Sequence, residues 1–323
     1  MFAKKLFSIL CIQPVQVLRS VALASATSTA VLLAGSATAA PAPRLAGLTE
    51  SAIVQIAGQP VYYESGGAGA GTPILLVHGI GAGTSSWLFH NNTAALAEHA
   101  RVYALDLPGF ARSGALPVRY TNDLYTNVVR EFIRNVIGAP ADVIGISLGA
   151  DYAIRVAAES PDLVRKLVLV DPTGFHKNPN GVVNEGWYNR LAGTILGSLA
   201  FDLVRSPGSL GFFLYNTVYL DWHLATPDVQ QVYSDNLKGP NKGYAPWAFF
   251  TGLLDQPARD TWPRVKAPTV IVWATDDVFT PRSSARDFLA VRETPLVILP
   301  GRAVPNEESS SAFNTYVLEF LTN

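Results

Sequence analysis

From Ile74 to the C-terminus, short apolar runs alternate with longer stretches of helical period. The runs predict strands over Ile74–His78, Val102–Leu105, Asp142–Gly145, Leu167–Val170, Thr269–Ala274 and Leu296–Leu299. The stretches between them predict helices over Thr84–Leu96, Tyr120–Ile137, Ala150–Ser160, Arg282–Val291 and Ser309–Leu321. Strands this continuously apolar are those covered on both faces, so the pattern specifies an α/β fold with a mostly parallel central sheet and helices on either side. A hairpin, Ile53–Ala57 with Pro60–Tyr63, and a glycine-rich turn over Gly66–Gly71 precede it. Between residues 174 and 263 the alternation stops and aromatic residues accumulate, which predicts a helical insertion. The core is then residues 53–173 and 264–323.

The first residues follow a different rule. Lys4, Lys5 and Arg19 are the only charges before residue 40, Val21–Gly35 is apolar, and small residues follow up to Pro41. This is a secretory layout with an A-x-A site at Ala37 and Ala39. It predicts a signal peptide over residues 1–39, a Pro/Ala linker over 40–52, and a secreted or periplasmic mature chain with no stable membrane span. The alternative is an uncleaved N-terminal anchor, although the apolar stretch is shorter than the ~20 residues a span needs. The single cysteine, Cys11, lies in this leader. The mature chain therefore has no thiol for a disulfide or a thiol–zinc site, and without H-E-x-x-H no metal is expected. A formal net charge of −1 without Lys/Arg runs argues against nucleic acid as a partner.

The chemistry concentrates where strands end. Gly145-Ile146-Ser147-Leu148-Gly149 closes a strand just before a helix. In that context G-x-S-x-G is a nucleophile elbow, whose glycines permit a turn sharp enough to project the serine into a cleft. His78-Gly79-Ile80-Gly81, Asp106-Leu-Pro-Gly109-Phe-Ala-Arg112-Ser113-Gly114 and Asp276-Asp277 with Pro281 follow three other strands. Together these motifs resemble the α/β-hydrolase superfamily of esterase, lipase and C–C hydrolase type, from about Val54 to the C-terminus. The resemblance implies Ser147 as nucleophile, the Ile80 and Leu148 N–H groups as oxyanion hole, and Asp277 as the triad acid, with Asp276 and Asp171 as weaker candidates. It makes the insertion at 174–263 a helical cap, in which Trp222 or Trp247 could line an acyl pocket. It gives His78, Asp106, Arg112 and Ser113 loop-fixing roles, requires no cofactor, and implies a small apolar or ester substrate. Haloalkane dehalogenases and epoxide hydrolases are disfavoured, because both need an aspartate where Ser147 stands.

The family's catalytic histidine is missing. It belongs after the last strand, where the chain reads Pro300-Gly-Arg-Ala303-Val304-Pro305-Asn306-Glu307-Glu308. Relatives reading LPG-x-GH-x-P-x-x-E would carry it before Val304; those with histidine before a Glu-Glu pair would carry it at Asn306, the vacated position. No histidine follows His223. His90 and His99 read as solvated surface residues, while His176 and His223 are the candidates for a relocated base. Glu307 and Glu308 suit the first turn of the last helix. The expectation is a hydrolase of carboxylic esters with an incomplete triad and weak activity, the alternative being a non-catalytic scaffold that binds a small apolar ligand under its cap.

Overall fold

In the computed structural model one sheet of eight strands runs in the order β1-β2-β4-β3-β5-β6-β7-β8. The structure describes residues 45–323 except 70, 174, 176–183 and 256; the leader and His176 lie outside the described residues. The strands are β1 Glu50–Ile56, β2 Gln59–Gly67, β3 Ile74–Val77, β4 Arg101–Leu105, β5 Ala141–Ile146, β6 Val164–Val170, β7 Thr269–Ala274 and β8 Leu296–Leu299. β1 and β2 pair antiparallel, β2 meets β4 antiparallel, and all later pairings are parallel.

Successive side chains of the central strands feed two cores. Leu75, Val77, Val143, Leu167, Leu169, Ile271 and Trp273 pack on one face. Ile74, Leu76, Ile144, Val168, Val170, Val270 and Val272 pack on the other. With both faces dry, a polar side chain along these strands needs a buried partner, as Asp142 has in Arg165, which is why they read as almost wholly apolar runs.

The helices that matter for the site are α1 Thr93–Ala97, α2 Asn122–Phe132 and α3 Leu148–Glu159. Between β6 and β7 lie α4 Glu185–Leu191, α5 Ile195–Val204, α6 Pro207–Phe213, α7 Pro227–Asn236 and α8 Tyr244–Phe250. α9 Ala285–Val291, α10 Pro305–Glu308 and α11 Ser310–Thr322 complete the chain.

Three expectations need correction. The single helix over Thr84–Leu96 is a 3₁₀ turn, Ser86–Phe89, followed by the separate helix α1. The break has a cause: the Asp106 carboxylate takes both the N–H and the hydroxyl of Ser86, at 3.0 and 2.7 Å. The linker over 40–52 is already structured near its end, since Leu45 and Leu48 are buried and β1 begins at Glu50. The turn over Gly66–Gly71 starts late, because Gly66 and Gly67 pair with Val102 and Arg101. A Cβ on Gly67 would meet Ala100 O at 2.4 Å, so only glycine fits there.

Candidate functional site

Ser147 sits between β5 and α3 with φ 54° and ψ −125°. An L-residue in that region is strained by roughly 1–3 kcal/mol and persists only where its surroundings force it. Here they do. Ser147 N donates to Val170 O at 2.9 Å, tying the turn to β6. A Cβ on Gly145 would approach Ala150 Cα and Gly149 O to 2.7 Å, and one on Gly149 would approach Val77 O and His78 O to 2.5 Å. Ser147 occupies the N-cap position, yet its side chain makes no capping bond. Residues 141–150 are buried apart from Ser147, which is half-buried. The hydroxyl is thus not spent on the helix.

The loop after β3 packs against it. A Cβ on Gly79 would stand 3.0 Å from Ser147 Cβ, so Ile80 follows immediately beside the serine. Leu148 is the first residue of α3, where N–H groups have no intrahelical acceptor. Ile80 and Leu148 are themselves buried. Two N–H groups with a helix N-terminus behind one of them suit a developing oxyanion.

His78 belongs to the scaffold. Leu107 N donates to its Nε2 at 2.8 Å, which leaves Nδ1 as the protonated nitrogen, donating to Gly79 O at 2.7 Å. Its one lone pair is occupied, and burial pushes its pKa below the usual value. It joins the loop carrying Ile80 to the loop after β4. That second loop is organised by Asp106, fully buried, which accepts from Ser86 and from Arg112 Nε at 3.1 Å, while Arg112 also reaches Glu64 and Tyr62. Burial opposes the Asp106 charge, but Arg112, His78 and Ser86 outweigh it and hold the carboxyl below its ordinary range. Ser113 Oγ receives Tyr62 N at 2.8 Å. Lys242 of the helical segment closes the same loop, donating to Ala111 O and Ser113 O at 2.6 and 2.9 Å.

The other described histidines are accounted for elsewhere. His90 is not solvated: it stacks on Trp87 with centroids 4.3 Å apart, and its Nδ1 meets Trp87 O at 2.9 Å. His99 is exposed. His223 is exposed, stacks on Trp222 and meets Asp221 Oδ1 at 2.8 Å. Trp247 is a core residue against Phe201 and Phe250, and Trp222 faces solvent.

The acids cluster beyond the neighbouring strand ends. Asp277 is buried, with Oδ1 capped by Phe279 N at 2.7 Å, and burial pushes its pKa up to about 7. Asp276 is exposed. Asp171, read from sequence as the weaker acid, ends β6 at φ 42° and is also buried. Its Oδ1 accepts Ala274 N at 2.8 Å, and its Oδ2 has no partner among the described residues. Burial first, and the charge of Asp277 second, drive its pKa well above the carboxylate range. Asp171 was the harder of the pair to find from sequence, because only the β6–β7 pairing reveals the neighbour that perturbs it.

Asn306 lies in α10, fully buried, and its Nδ2 donates to Leu88 O at 2.7 Å and Asn92 Oδ1 at 3.0 Å. Asn92 in turn donates to Asn306 O and Asn314 Oδ1 at 2.8 and 2.9 Å. Glu307 accepts from the Tyr219 hydroxyl at 2.5 Å, and burial pushes it up to about 8. Glu308 accepts from Arg302 N, Leu220 N and Asp221 N at 2.7, 2.7 and 3.1 Å. Among the described residues no group of His, Cys, Asp and Glu is placed to hold a metal, and no helix is long and apolar enough to cross a membrane.

A serine on a strained strand-to-helix turn, faced by an N–H loop and backed by strand-end acids on this sheet order, defines a hydrolase class. The family profile described as "Alpha/beta hydrolase family" matches residues 74–315, and the chain belongs to that family. The chain is 29% identical over 268 residues to the dihydrolipoyllysine-residue acetyltransferase component of an acetoin cleaving system from Pseudomonas putida, spanning 80% of this chain and 66% of that one. It is 26% identical over 267 residues to a 2-hydroxy-6-oxo-6-phenylhexa-2,4-dienoate hydrolase from Burkholderia cepacia, spanning 79% and 90%. Among solved structures, the enol-lactonase from Burkholderia xenovorans LB400 superposes with TM-score 0.68 at 22% identity, covering 84% of this chain and all (100%) of that one.

Proposed function

We propose that the protein is an exported serine hydrolase of small apolar carboxylic esters, acting through Ser147 with Ile80 and Leu148 N–H as oxyanion hole. The observation that carries this is the Ser147 elbow, a strained residue whose hydroxyl is left uncapped at the start of α3. Ser147 Oγ adds to the ester carbonyl, the two N–H groups take the negative oxygen, and collapse expels the alkoxide to leave an acyl-serine that water hydrolyses. The weak point is the proton on Oγ. Asp277 would serve an imidazole, but Ser147 makes no hydrogen bond to a described histidine that could accept that proton. An oxyanion hole and cleft alone sustain roughly 10³–10⁴-fold catalysis over water, so slow turnover is the expected state. The helices between β6 and β7 act as the cap over the cleft. The leader over residues 1–39 directs export, giving a secreted or periplasmic enzyme.

The occupied lone pair of His78 favours one rival, a scaffold that binds a small apolar ligand without turnover. Hydrolysis of a short-chain p-nitrophenyl ester by wild type and Ser147→Ala separates the two. Slow hydrolysis that Ser147→Ala abolishes supports the enzyme, and equal inertness of both proteins removes it.

A further inference from the structure

The Ile80 N–H belongs to a loop, residues 79–85, whose two ends are held by the core. At its entrance His78 Nδ1 donates to Gly79 O at 2.7 Å, and just past its exit the Asp106 carboxylate takes the N–H and hydroxyl of Ser86. Three of the seven residues are glycine, so the backbone between those ends favours no single path. Gly81 N donates to Thr84 Oγ1 at 3.0 Å, and Thr84 Oγ1 donates back to Gly81 O at 3.1 Å, but these bonds lie within the loop and move with it. The middle is held from the segment between β6 and β7. Asn236, the last residue of α7, is buried, and its Nδ2 donates to Gly83 O at 2.8 Å and to Ser85 Oγ at 3.0 Å. Among the described residues no other side chain from outside the loop hydrogen-bonds residues 80–85. Three residues earlier on the same face of α7, Tyr233 lays its backbone on the same point: a Cβ on Gly83 would stand 2.5 Å from Tyr233 O.

We propose that Asn236 is a positioning residue for the oxyanion hole: by holding Gly83 O and Ser85 Oγ it fixes the loop that aims the Ile80 N–H. This rests on the ester-hydrolase reading of Ser147. Ile80 lies between two anchored carbonyls, Gly79 O on His78 and Gly83 O on Asn236, so the direction of its N–H follows from both. An oxyanion donor is useful only when preorganised, and a displacement near 1 Å costs about 10²-fold in rate. A buried asparagine is costly unless its amide is bonded, and here both of its protons go to the loop. Packing alone supplies no substitute, since an apolar side chain at this position would fill the space and leave Gly83 O without its donor. The hole is thus assembled from two layers, the Leu148 N–H by α3 and the Ile80 N–H by the docked α7. An excursion of α7 that admits substrate must reverse before the carbonyl is polarised.

Hydrogen exchange of the peptide over residues 79–86 reads the loop without turnover, and steady-state hydrolysis of p-nitrophenyl acetate reads the hole. Asn236→Asp keeps the shape and removes the donor. Its loop peptide should exchange about tenfold faster or more, and kcat should fall by about 10²-fold with KM within about threefold of wild type. Gln230→Ala is the control. Gln230 lies on the same helix, and its amide also makes two bonds, to the Tyr215 hydroxyl at 2.7 Å and Ala225 O at 2.8 Å, both within the segment. Gln230→Ala should leave loop exchange and kcat within about twofold of wild type, whereas an Asn236 that merely holds the segment together would behave as Gln230 does. Asn236→Ser, which keeps a donor of shorter reach, takes the place of the aspartate variant should that fail to fold, and should show the same two changes to a lesser degree. A folded Asn236→Asp protein whose loop exchanges as in wild type overturns the inference. So does faster loop exchange with kcat unchanged, or a rise in KM alone, which is lost binding and not a lost transition-state contact. Ser147→Ala hydrolysing as fast as wild type sinks the ester reading instead, and loop exchange then decides alone whether Asn236 positions the loop.

Discussion

Replacing Asn306 by histidine looks like the simplest repair of the site, and the structure predicts that it fails. Asn306 is fully buried and its amide nitrogen makes two hydrogen bonds, to Leu88 O and Asn92 Oδ1. Neutral imidazole carries one N–H, so at least one of those acceptors loses its donor, at about 1–3 kcal/mol. The larger ring in a site without spare room adds about 1–3 kcal/mol. The sum, about 2–6 kcal/mol, lowers the melting temperature by roughly 4–24 °C at about 2–4 °C per kcal/mol for a domain of this size. Esterase activity should not rise, because the ring replaces a group aimed at Leu88 and Asn92. A one-residue insertion giving Gly-His before Val304 leaves that asparagine network intact and should raise hydrolysis by about 10²-fold or more, the usual worth of a placed general base. Thermal melts and p-nitrophenyl acetate hydrolysis of both variants decide it. An Asn306→His protein that melts within about 2 °C of wild type and turns over faster would refute the reasoning.

Glu307 gives a pH prediction. Its folded pKa, pushed up to about 8 by burial, lies above its unfolded value, so the folded chain binds the extra proton. That contribution is fully present below the unfolded pKa near 4.3, and is lost as pH rises through about 8. Melting should therefore be higher at pH 5 than at pH 8.5, by roughly 5 °C or more, and Glu307→Gln should flatten the difference; equal melting of wild type at both pH values defeats this. At the elbow, Gly149→Ala would press a methyl to 2.5 Å from Val77 O and His78 O, so the turn must open. Soluble expression should fall and any surviving protein should lose Ser147 labelling by a fluorophosphonate, whereas full labelling with wild-type stability would mean the elbow is looser than the contacts require.

What was legible in the sequence follows from how local its cause is. The central strands showed because both faces are dry, so their apolar runs are almost unbroken and nothing distant is needed to explain them. Ser147 showed because the G-x-S-x-G spacing is local, although of its two glycines Gly145 is demanded by contacts within the turn and Gly149 by the end of β3. The stretch Thr84–Leu96 misled because the side chains that break it are remote: Asp106 captures Ser86, and Asn306 captures Leu88 and Asn92. Glu307 and Glu308 read as first-turn carboxylates for the same reason. They are in the first turn, but Glu307 faces Tyr219 and Glu308 faces backbone amides across the fold. His90 looked solvated until Trp87, three residues earlier on a 3₁₀ turn, stacked on it.

These cross-fold partners bear on the missing base. The loop after β8 is engaged across the fold. Here that loop braces the helices between β6 and β7. Ala303 N donates to Val218 O at 3.0 Å, Arg302 Nη1 to Asn216 O, Tyr219 to Glu307, and Leu220 and Asp221 N–H to Glu308. A histidine placed at Asn306 must break its bonds to Leu88 and Asn92, and one at Glu307 or Glu308 a brace contact, each leaving a buried donor or acceptor at about 1–3 kcal/mol. An added residue before Val304 can supply imidazole without withdrawing a side chain already in use, so on the proposed reading a longer loop should raise activity where substitution within it should not.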